Sequence, residues 1–400
     1  MQTTKHTNPK APRVLISGGG TGGHVFPAIA IADAVKAQAP EAEILFVGAL
    51  GKIEMEKVPQ AGYRIEGLWI SGFQRKLTLR NLLFPVKLLS SMWKARRIVR
   101  TFRPDVAVGV GGFASGPTLE NACRMGIPAL VQEQNSYAGV TNRLLANKVQ
   151  RVCVAYEGME RFFPADKIVL TGNPVRSDLA RLMATKAEAA AHFQLEADKQ
   201  TVLVFGGSLG ALALNEAMLA NTALMAAHSD VQFLWQCGKL YIERFSQCEA
   251  ARLPNVRILP FVDRMDLAYT LADVIVGRAG ALTISELCLV GKPAILIPSP
   301  NVAEDHQTKN AQALADKSAA MMIPNSEASA RLMKEALELL NDEARCRQLS
   351  TNIRTLAKPN AAEEIAREVL GLVGHNHKTV KPAFAKASAD KTVKPQNHKN

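Results

Sequence analysis

The sequence predicts an α/β protein built from two Rossmann-like halves, each a parallel sheet covered by helices on both faces. Three observations predict this. Short β-branched apolar runs alternate with helical stretches along most of the chain, the pattern of βαβ units. The runs are continuously apolar instead of alternating, as strands buried on both faces are. The opening Val14-Leu15-Ile16-Ser17-Gly18-Gly19 leads into the Ala-rich PAIAIADAV, and it is echoed by Val202-Leu203-Val204-Phe205-Gly206-Gly207, which leads into ALALNEAM. A chain of 400 residues with 48% apolar and 21% charged residues suits two soluble domains and excludes a disordered or multi-span membrane protein.

In order, the runs of the first half are VLISG (14–18), EILFVG (43–48), DVAVGVG (105–111), PALVQE (128–133), RVCVAY (151–156) and KIVLTGN (167–173). Those of the second are TVLVFGG (201–207), VQFLWQCG (231–238), VRILPF (256–261), DVIVG (273–277), PAILIPSP (293–300) and AAMMIP (319–324). The halves divide at Gly172-Asn173-Pro174-Val175-Arg176, because Asn-Pro favours a turn and the residue before proline is pushed out of helix. The expected domains are 13–173 and 174–358. An amphipathic helix, Ala361 to Val373, is expected to cross back to the first domain. Residues 375–400 repeat KTVKP and carry few apolar side chains, the composition of a disordered basic tail.

The net charge of +12 is concentrated. The stretch 67–104 holds nine basic residues and no acidic one, and the tail holds six lysines against Asp390, which leaves the remainder close to neutral. This differs from a generally basic nucleic-acid binder. The six cysteines are scattered without a C-x-x-C pair, which suits buried thiols in a reducing cytosol. The N-terminus lacks a signal-peptide core, and no run approaches the roughly 18 to 20 apolar residues of a spanning helix. Any membrane contact is therefore expected at the surface, from the cytoplasmic side.

Three glycine loops follow strands: Gly18-Gly19-Gly20-Thr21-Gly22-Gly23, Gly109-Val110-Gly111-Gly112 through Ser115, and Gly206-Gly207-Ser208-Leu209-Gly210. Without Cβ atoms, backbone N–H groups and a helix N-terminus can face an anion closely. The first loop matches G-x-G-x-x-G, but a dinucleotide oxidoreductase needs a carboxylate at the end of the second strand, and Phe46-Val47-Gly48-Ala49-Leu50 has none. Ligands of doubly wound sheets bind outside the carboxyl ends of the strands, so all three loops are expected to border one cleft. Gly280-Ala281-Leu282-Thr283 opens a helix whose N–H groups suit a diphosphate, with Glu286 placed to accept from vicinal ribose hydroxyls. Asp305-His306-Gln307 offers polar groups to sugar hydroxyls.

Taken together, GGGTGGHVFPAIAIA, GVGGFASGP, EQNSYAGVTNR, GNPVR, GGSLGA, AGALTISE and DHQTKNA, in this order, resemble the MurG family, the UDP-GlcNAc-dependent glucosaminyltransferases of peptidoglycan synthesis. The similarity spans about residues 13–373. It implies a GT-B glycosyltransferase fold, with two Rossmann-like domains facing across a cleft. It implies that UDP-GlcNAc is held by Ser208, Ala281, Leu282 and Thr283 at the diphosphate, Glu286 at the ribose and Val262 beside the uracil. Gln307, Asn135, Thr21, Gly22 and Gly23 would meet the GlcNAc, and Arg176 would close the site. Gly18, Gly19, Gly20, Gly111, Gly112 and Ser115 would face the diphosphate of the acceptor, lipid I. One departure is Ala279, where some members carry serine before the turn.

The implied reaction moves GlcNAc onto the 4-hydroxyl of the lipid I muramoyl residue with inversion, giving lipid II. A single displacement needs a base and stabilisation of departing UDP. His24 is the first candidate base and Glu133 the second. No D-x-D pair lies in the glycine-rich regions, so the chemistry is expected to need no metal or other cofactor. The alternatives are another GT-B lipid glycosyltransferase and a non-catalytic nucleotide-sugar or lipid-binding protein. The basic zone reads as a membrane surface: Leu79, Leu82, Leu83, Phe84, Val86, Leu89 and Trp93 form a stripe among Arg75, Lys76, Arg80, Lys87, Lys94, Arg96 and Arg97. The expected location is the cytoplasmic face of the plasma membrane, peripherally bound, with other cell-wall synthesis proteins as family-implied partners. The competing reading is a solvated helix whose stripe is in the core.

Overall fold

A computed structural model describes residues 11–71, 83–175, 179, 182–207, 209–302 and 305–379, with side chains described to 373. Arg176 and Ser208 lie outside the described residues, as do Arg75, Lys76, Leu79, Arg80, Leu82 and 380–400. The first sheet contains β1 (Arg13–Ser17), β2 (Glu43–Ala49), β3 (Arg64–Leu68), β4 (Val106–Gly109), β5 (Ala129–Glu133), β6 (Arg151–Val154) and β7 (Ile168–Leu170). The second contains β8 (Gln200–Phe205), β9 (Val231–Gln236), β10 (Val256–Leu259), β11 (Val274–Gly277), β12 (Ala294–Leu296) and β13 (Met321–Met322). Every pairing is parallel, in the orders 3-2-1-4-5-6-7 and 10-9-8-11-12-13.

The fold is the doubly wound α/β arrangement read from the sequence, repeated twice. The sequence echo falls on the equivalent inner strands β1 and β8, each hydrogen-bonded on both sides. Their residues Val14, Leu15 and Ile16, and Val202, Leu203 and Val204, are fully buried, which explains the continuous apolar runs. Strand β3 had no such run. It lies at the sheet edge, where Arg64 and Glu66 face solvent, so its sequence is too polar to read as a buried strand.

Each sheet has a core on both faces. The final helix packs Ile365, Ala366, Val369 and Leu372 with Val14, Ile16, Val25 and Ile31 of the first unit. It runs from Ala361 to Thr379, six residues past Val373 and into the segment expected to be disordered; no proline interrupts the chain before Pro382. Burial pushes the thiols of Cys153 and Cys288 up to about 12, so neither is a reactive thiolate near neutrality.

Helix Phe84–Phe102 turns Ser91, Ala95, Ile98 and Val99 inward. Leu83, Val86, Leu89 and Trp93 point outward, with Leu89 71% and Trp93 69% exposed. The apolar stripe is therefore on the surface and the core reading of it is wrong for these residues. Lys87 and Lys94 fasten the helix by donating to Ser71 Oγ (3.1 Å) and the Gly67 carbonyl (2.7 Å), leaving Arg96, Arg97 and Arg100 as its exposed cations. Ile365→Ala should cost about 2–5 kcal/mol through the cavity it leaves. A fall in the urea midpoint checks this; an unchanged midpoint would mean that the final helix adds nothing to the first unit.

Candidate active site

Strand order reverses between β1 and β4 and again between β8 and β11, and the loops leaving those strands diverge there. In the first sheet the two loops nest against each other. A Cβ on Gly112, where φ is 86°, would lie 2.2 Å from the Gly19 carbonyl oxygen. Buried Ser115 donates from Oγ to the carbonyls of Ser17 (2.6 Å) and Gly111 (3.2 Å). Buried Glu54 accepts from the N–H of Gly20 (2.8 Å) and of Ala49 (2.9 Å).

Part of the expected acceptor loop is thus engaged within the protein. Gly18 and Gly19 are buried, Gly112 is packed on Gly19, and Ser115 and the Gly20 N–H are engaged within the protein. They shape the loop. Thr21, Gly22 and Gly23 sit at the opening of helix Gly22–Gln38, where first-turn N–H groups have no carbonyl one turn earlier. The carboxylate missing from the end of β2 is supplied by Glu54, but it is enclosed under the glycine loop and holds no ribose. Sequence reading missed it because Glu54 meets Gly20 across 34 positions.

His24 lies in the first turn of the same helix, half-buried. Its Nδ1 is 3.1 Å from the Gly19 carbonyl oxygen and 3.3 Å from Thr21 Oγ1. A carbonyl oxygen can only accept, so in the neutral ring Nδ1 carries the hydrogen and Nε2 keeps its lone pair. A Cβ on Gly111 would come 3.0 Å from Nε2, so glycine there leaves that edge of the ring room. Burial lowers the His24 pKa from 6.5; Glu133 and the Gly19 carbonyl oppose this, and His306 of the second unit adds to the lowering. His24 is therefore neutral at pH 7 and able to take a proton.

Glu133, at the end of β5, is 1% exposed. Oε1 accepts from the Asn135 N–H (3.0 Å) and weakly from its Nδ2 (3.4 Å). Oε2 accepts from the Gly139 N–H (2.9 Å) and Asn142 Nδ2 (2.9 Å). A carboxylate surrounded in this way holds the 135–142 loop and cannot reach an acceptor hydroxyl, so its expected role as second base does not fit this geometry. The string EQNSYAGVTN already contained Glu133, Asn135 and Asn142, but not which side chain bonded which.

In the second unit, helix Ala281–Val290 begins after Gly280 with no side-chain cap and no acidic residue in its first turn. Ala281, Leu282 and Thr283 are half-buried there. Glu286 follows, one carboxylate oxygen held by the Tyr269 hydroxyl (2.9 Å), a partner the sequence did not suggest. Gln307 Oε1 accepts from the Ser299 N–H (2.9 Å). Val262 packs into the second core, so only its backbone can meet a base, while adjacent Phe261 is exposed. Ala279 offers its carbonyl to Asn310 Nδ2 (3.4 Å). Buried Asn310, of the DHQTKNA string, reaches the first unit, its Oδ1 accepting from Ser136 N (3.1 Å) and Oγ (2.9 Å), its Nδ2 donating to Asn135 Oδ1 (3.3 Å).

The glycosyltransferase family 28 N-terminal domain matches residues 14–154, and the family 28 C-terminal domain matches 201–365. The chain is 54% identical over 365 residues to the UDP-N-acetylglucosamine--N-acetylmuramyl-(pentapeptide) pyrophosphoryl-undecaprenol N-acetylglucosamine transferase of Bacteroides thetaiotaomicron, covering 91% of this chain and 98% of that protein. The chain belongs to the MurG family of glycosyltransferase family 28. The Flavobacterium psychrophilum enzyme of the same description is 52% identical over 90% of this chain and 98% of its own. Among solved structures, Acinetobacter baumannii MurG superposes with a TM-score of 0.70 at 29% identity, over 90% of this chain and 99% of that one. This MurG-family chain thus carries both halves of the fold at nearly the full length of its relatives.

The neutral His24 ring sets a pH signature. kcat/KM should stay level through neutrality and fall only below about pH 6.5, where the ring gains its proton. His24→Ala should remove that acid limb together with about 10²–10⁴-fold of turnover. An acid limb centred above 6.5, or retained in the variant, would contradict the assignment. Because the folded chain binds this proton less well than the unfolded one, the ring's share of stability is present above about 6.5 and lost as pH falls through its lowered pKa.

Proposed function

We propose that the protein transfers GlcNAc from UDP-GlcNAc to the 4-hydroxyl of the muramoyl residue of undecaprenyl-diphospho-MurNAc-pentapeptide, with inversion. The observation that carries this reading is the 54% identity with the Bacteroides transferase over 98% of its length. On this reading residues 13–173 form the acceptor side of the cleft and 174–358 the donor side.

The acceptor oxygen attacks the anomeric carbon as the bond from that carbon to the UDP oxygen breaks. The hydroxyl proton passes to His24 Nε2. The electron pair leaves with the β-phosphate of UDP, whose growing charge faces the N–H groups of Ala281, Leu282 and Thr283. Glu286, oriented by Tyr269, accepts from the ribose; Gln307 and Asn135 meet the sugar. Glu133 keeps the Asn135 loop in place and its charge partly offsets the burial that lowers the His24 pKa. Arg176 and Ser208 are assigned to the donor by family resemblance.

The exposed stripe of Leu83, Val86, Leu89 and Trp93, beside Arg96, Arg97 and Arg100, suits a peripheral seat on an anionic bilayer, from which a polyprenyl-linked acceptor presents its sugar. Among the described residues no helix is long and apolar enough to cross a membrane. Acidic substitution of both Leu89 and Trp93 should abolish sedimentation with phosphatidylglycerol vesicles while sparing turnover of a detergent-dispersed acceptor. Full retention of vesicle binding would refute the seat.

The reaction itself is tested by UDP release from UDP-GlcNAc with and without lipid I. Release should depend on lipid I, and Glu286→Ala should raise the donor KM at least tenfold, about 1.4 kcal/mol. Release independent of lipid I would overturn the acceptor assignment, and an unchanged donor KM would overturn the ribose contact.

A further inference from the structure

The two sides of the cleft are joined by side-chain amides at the first crossing of the chain. Asn173, 2% exposed, stands just before Pro174. Its Oδ1 accepts from Gln132 Nε2 (3.0 Å). One Nδ2 hydrogen goes to the Gln134 carbonyl (3.0 Å) and the other to Ser285 Oγ (3.0 Å) of the second unit. Both donors and the acceptor of the amide are thus in use.

From either end of Asn173 the contacts lead to a substrate loop. Gln134 Nε2 donates to the Val110 carbonyl (2.9 Å), the residue before Gly111, which lies under the edge of the His24 ring. Ser285 Oγ donates to the carbonyl of Ala281 (3.1 Å), the first residue of the helix assigned to the donor diphosphate. Gln132 and Gln134 are buried, so their bonds are sheltered from water. Beside this link the units are not tightly packed: a cavity of about 670 Å³ lies between them, lined by Tyr156, Leu170, Cys288, Lys317 and Leu356 among others. Directional bonds, those of Asn173 together with those of Asn310 to Ser136 and Asn135, therefore span the units beside this cavity.

We propose that Asn173 and Ser285 are positioning residues that couple the acceptor loop to the donor helix, so that occupation of either side raises affinity for the other. The inference rests on the donor and acceptor sides proposed above. Neither residue touches substrate. Coupling between two sites is reciprocal and is commonly 5–150-fold, which sets the scale of the expected effect.

The experiment measures the Kd of UDP, which cannot turn over, with the full-length protein alone and saturated with lipid I. Wild-type protein should bind UDP about 5-fold or more tightly when lipid I is present. Ser285→Ala should bind UDP alone within about twofold of wild type and lose that gain. Ser285→Thr, which keeps the hydroxyl, should retain it. Asn173→Asp, with no amide donor, should match Ser285→Ala, and the double variant should be no worse than either single one. Absence of the gain in wild-type protein that still releases UDP with lipid I would overturn the coupling and leave the proposed function standing. A Ser285→Ala protein that keeps the gain, or loses UDP affinity equally with and without lipid I, would also overturn it. Wild-type protein with no lipid I-dependent release would instead refute the function.

Discussion

Everything at the site depends on the reversal of strand order beside β1 and β8. A parallel strand with neighbours added on both sides sends its following loop one way and its partner's loop the other, opening a crevice at the carboxyl end of the sheet. Here the crevice of the first sheet is narrowed until two glycine loops touch, because buried Gly18 and Gly19 and half-buried Gly112 carry no side chains to separate them. That contact fixes the Gly19 carbonyl. The carbonyl in turn fixes the tautomer of His24, and so decides which nitrogen of the ring is available to take a proton.

The repetition of this arrangement in the second unit gives a different chemistry because the side chains around the crevice differ. The first unit places a half-buried imidazole beside an enclosed carboxylate; the second places an uncapped helix start beside Glu286. An inverting displacement requires a base and a leaving-group anion site, and on the proposed reading the base comes from the first half and the donor's anion site from the second. Catalysis on this account belongs to the pair of units, so the amide link through Asn173 and the Asn310 contacts with Asn135 and Ser136 matter as much as the groups that touch substrate.

Most of the fold was legible in the sequence because inner parallel strands must be apolar on both faces. The exception was β3, where Arg64 and Glu66 interrupt the run at an exposed edge. The loops were legible as glycine-rich, but their division of labour was not. Gly22 and Gly23 can face an anion, whereas Gly112 is needed to let another backbone pass, and composition does not separate these uses. Glu54 and Tyr269 escaped notice, and Asn173 and Asn310 stood in the GNPVR and DHQTKNA strings without their partners, for a common reason: each acts through a residue far away in the chain. The charge on 67–104 was legible as a patch, but only the outward rotation of Leu89 and Trp93 gives it an apolar centre.

The central claim is that the donor lies with its diphosphate on the Ala281 helix and its anomeric carbon turned toward His24. A crystal structure of the protein with UDP-GlcNAc tests this directly. The account predicts the β-phosphate within hydrogen-bonding distance of the N–H groups of Ala281, Leu282 or Thr283, Glu286 on the ribose, and the anomeric carbon on the side of the sugar that faces Nε2. A diphosphate bound instead at Thr21, Gly22 and Gly23, with the sugar turned away from His24, would contradict it.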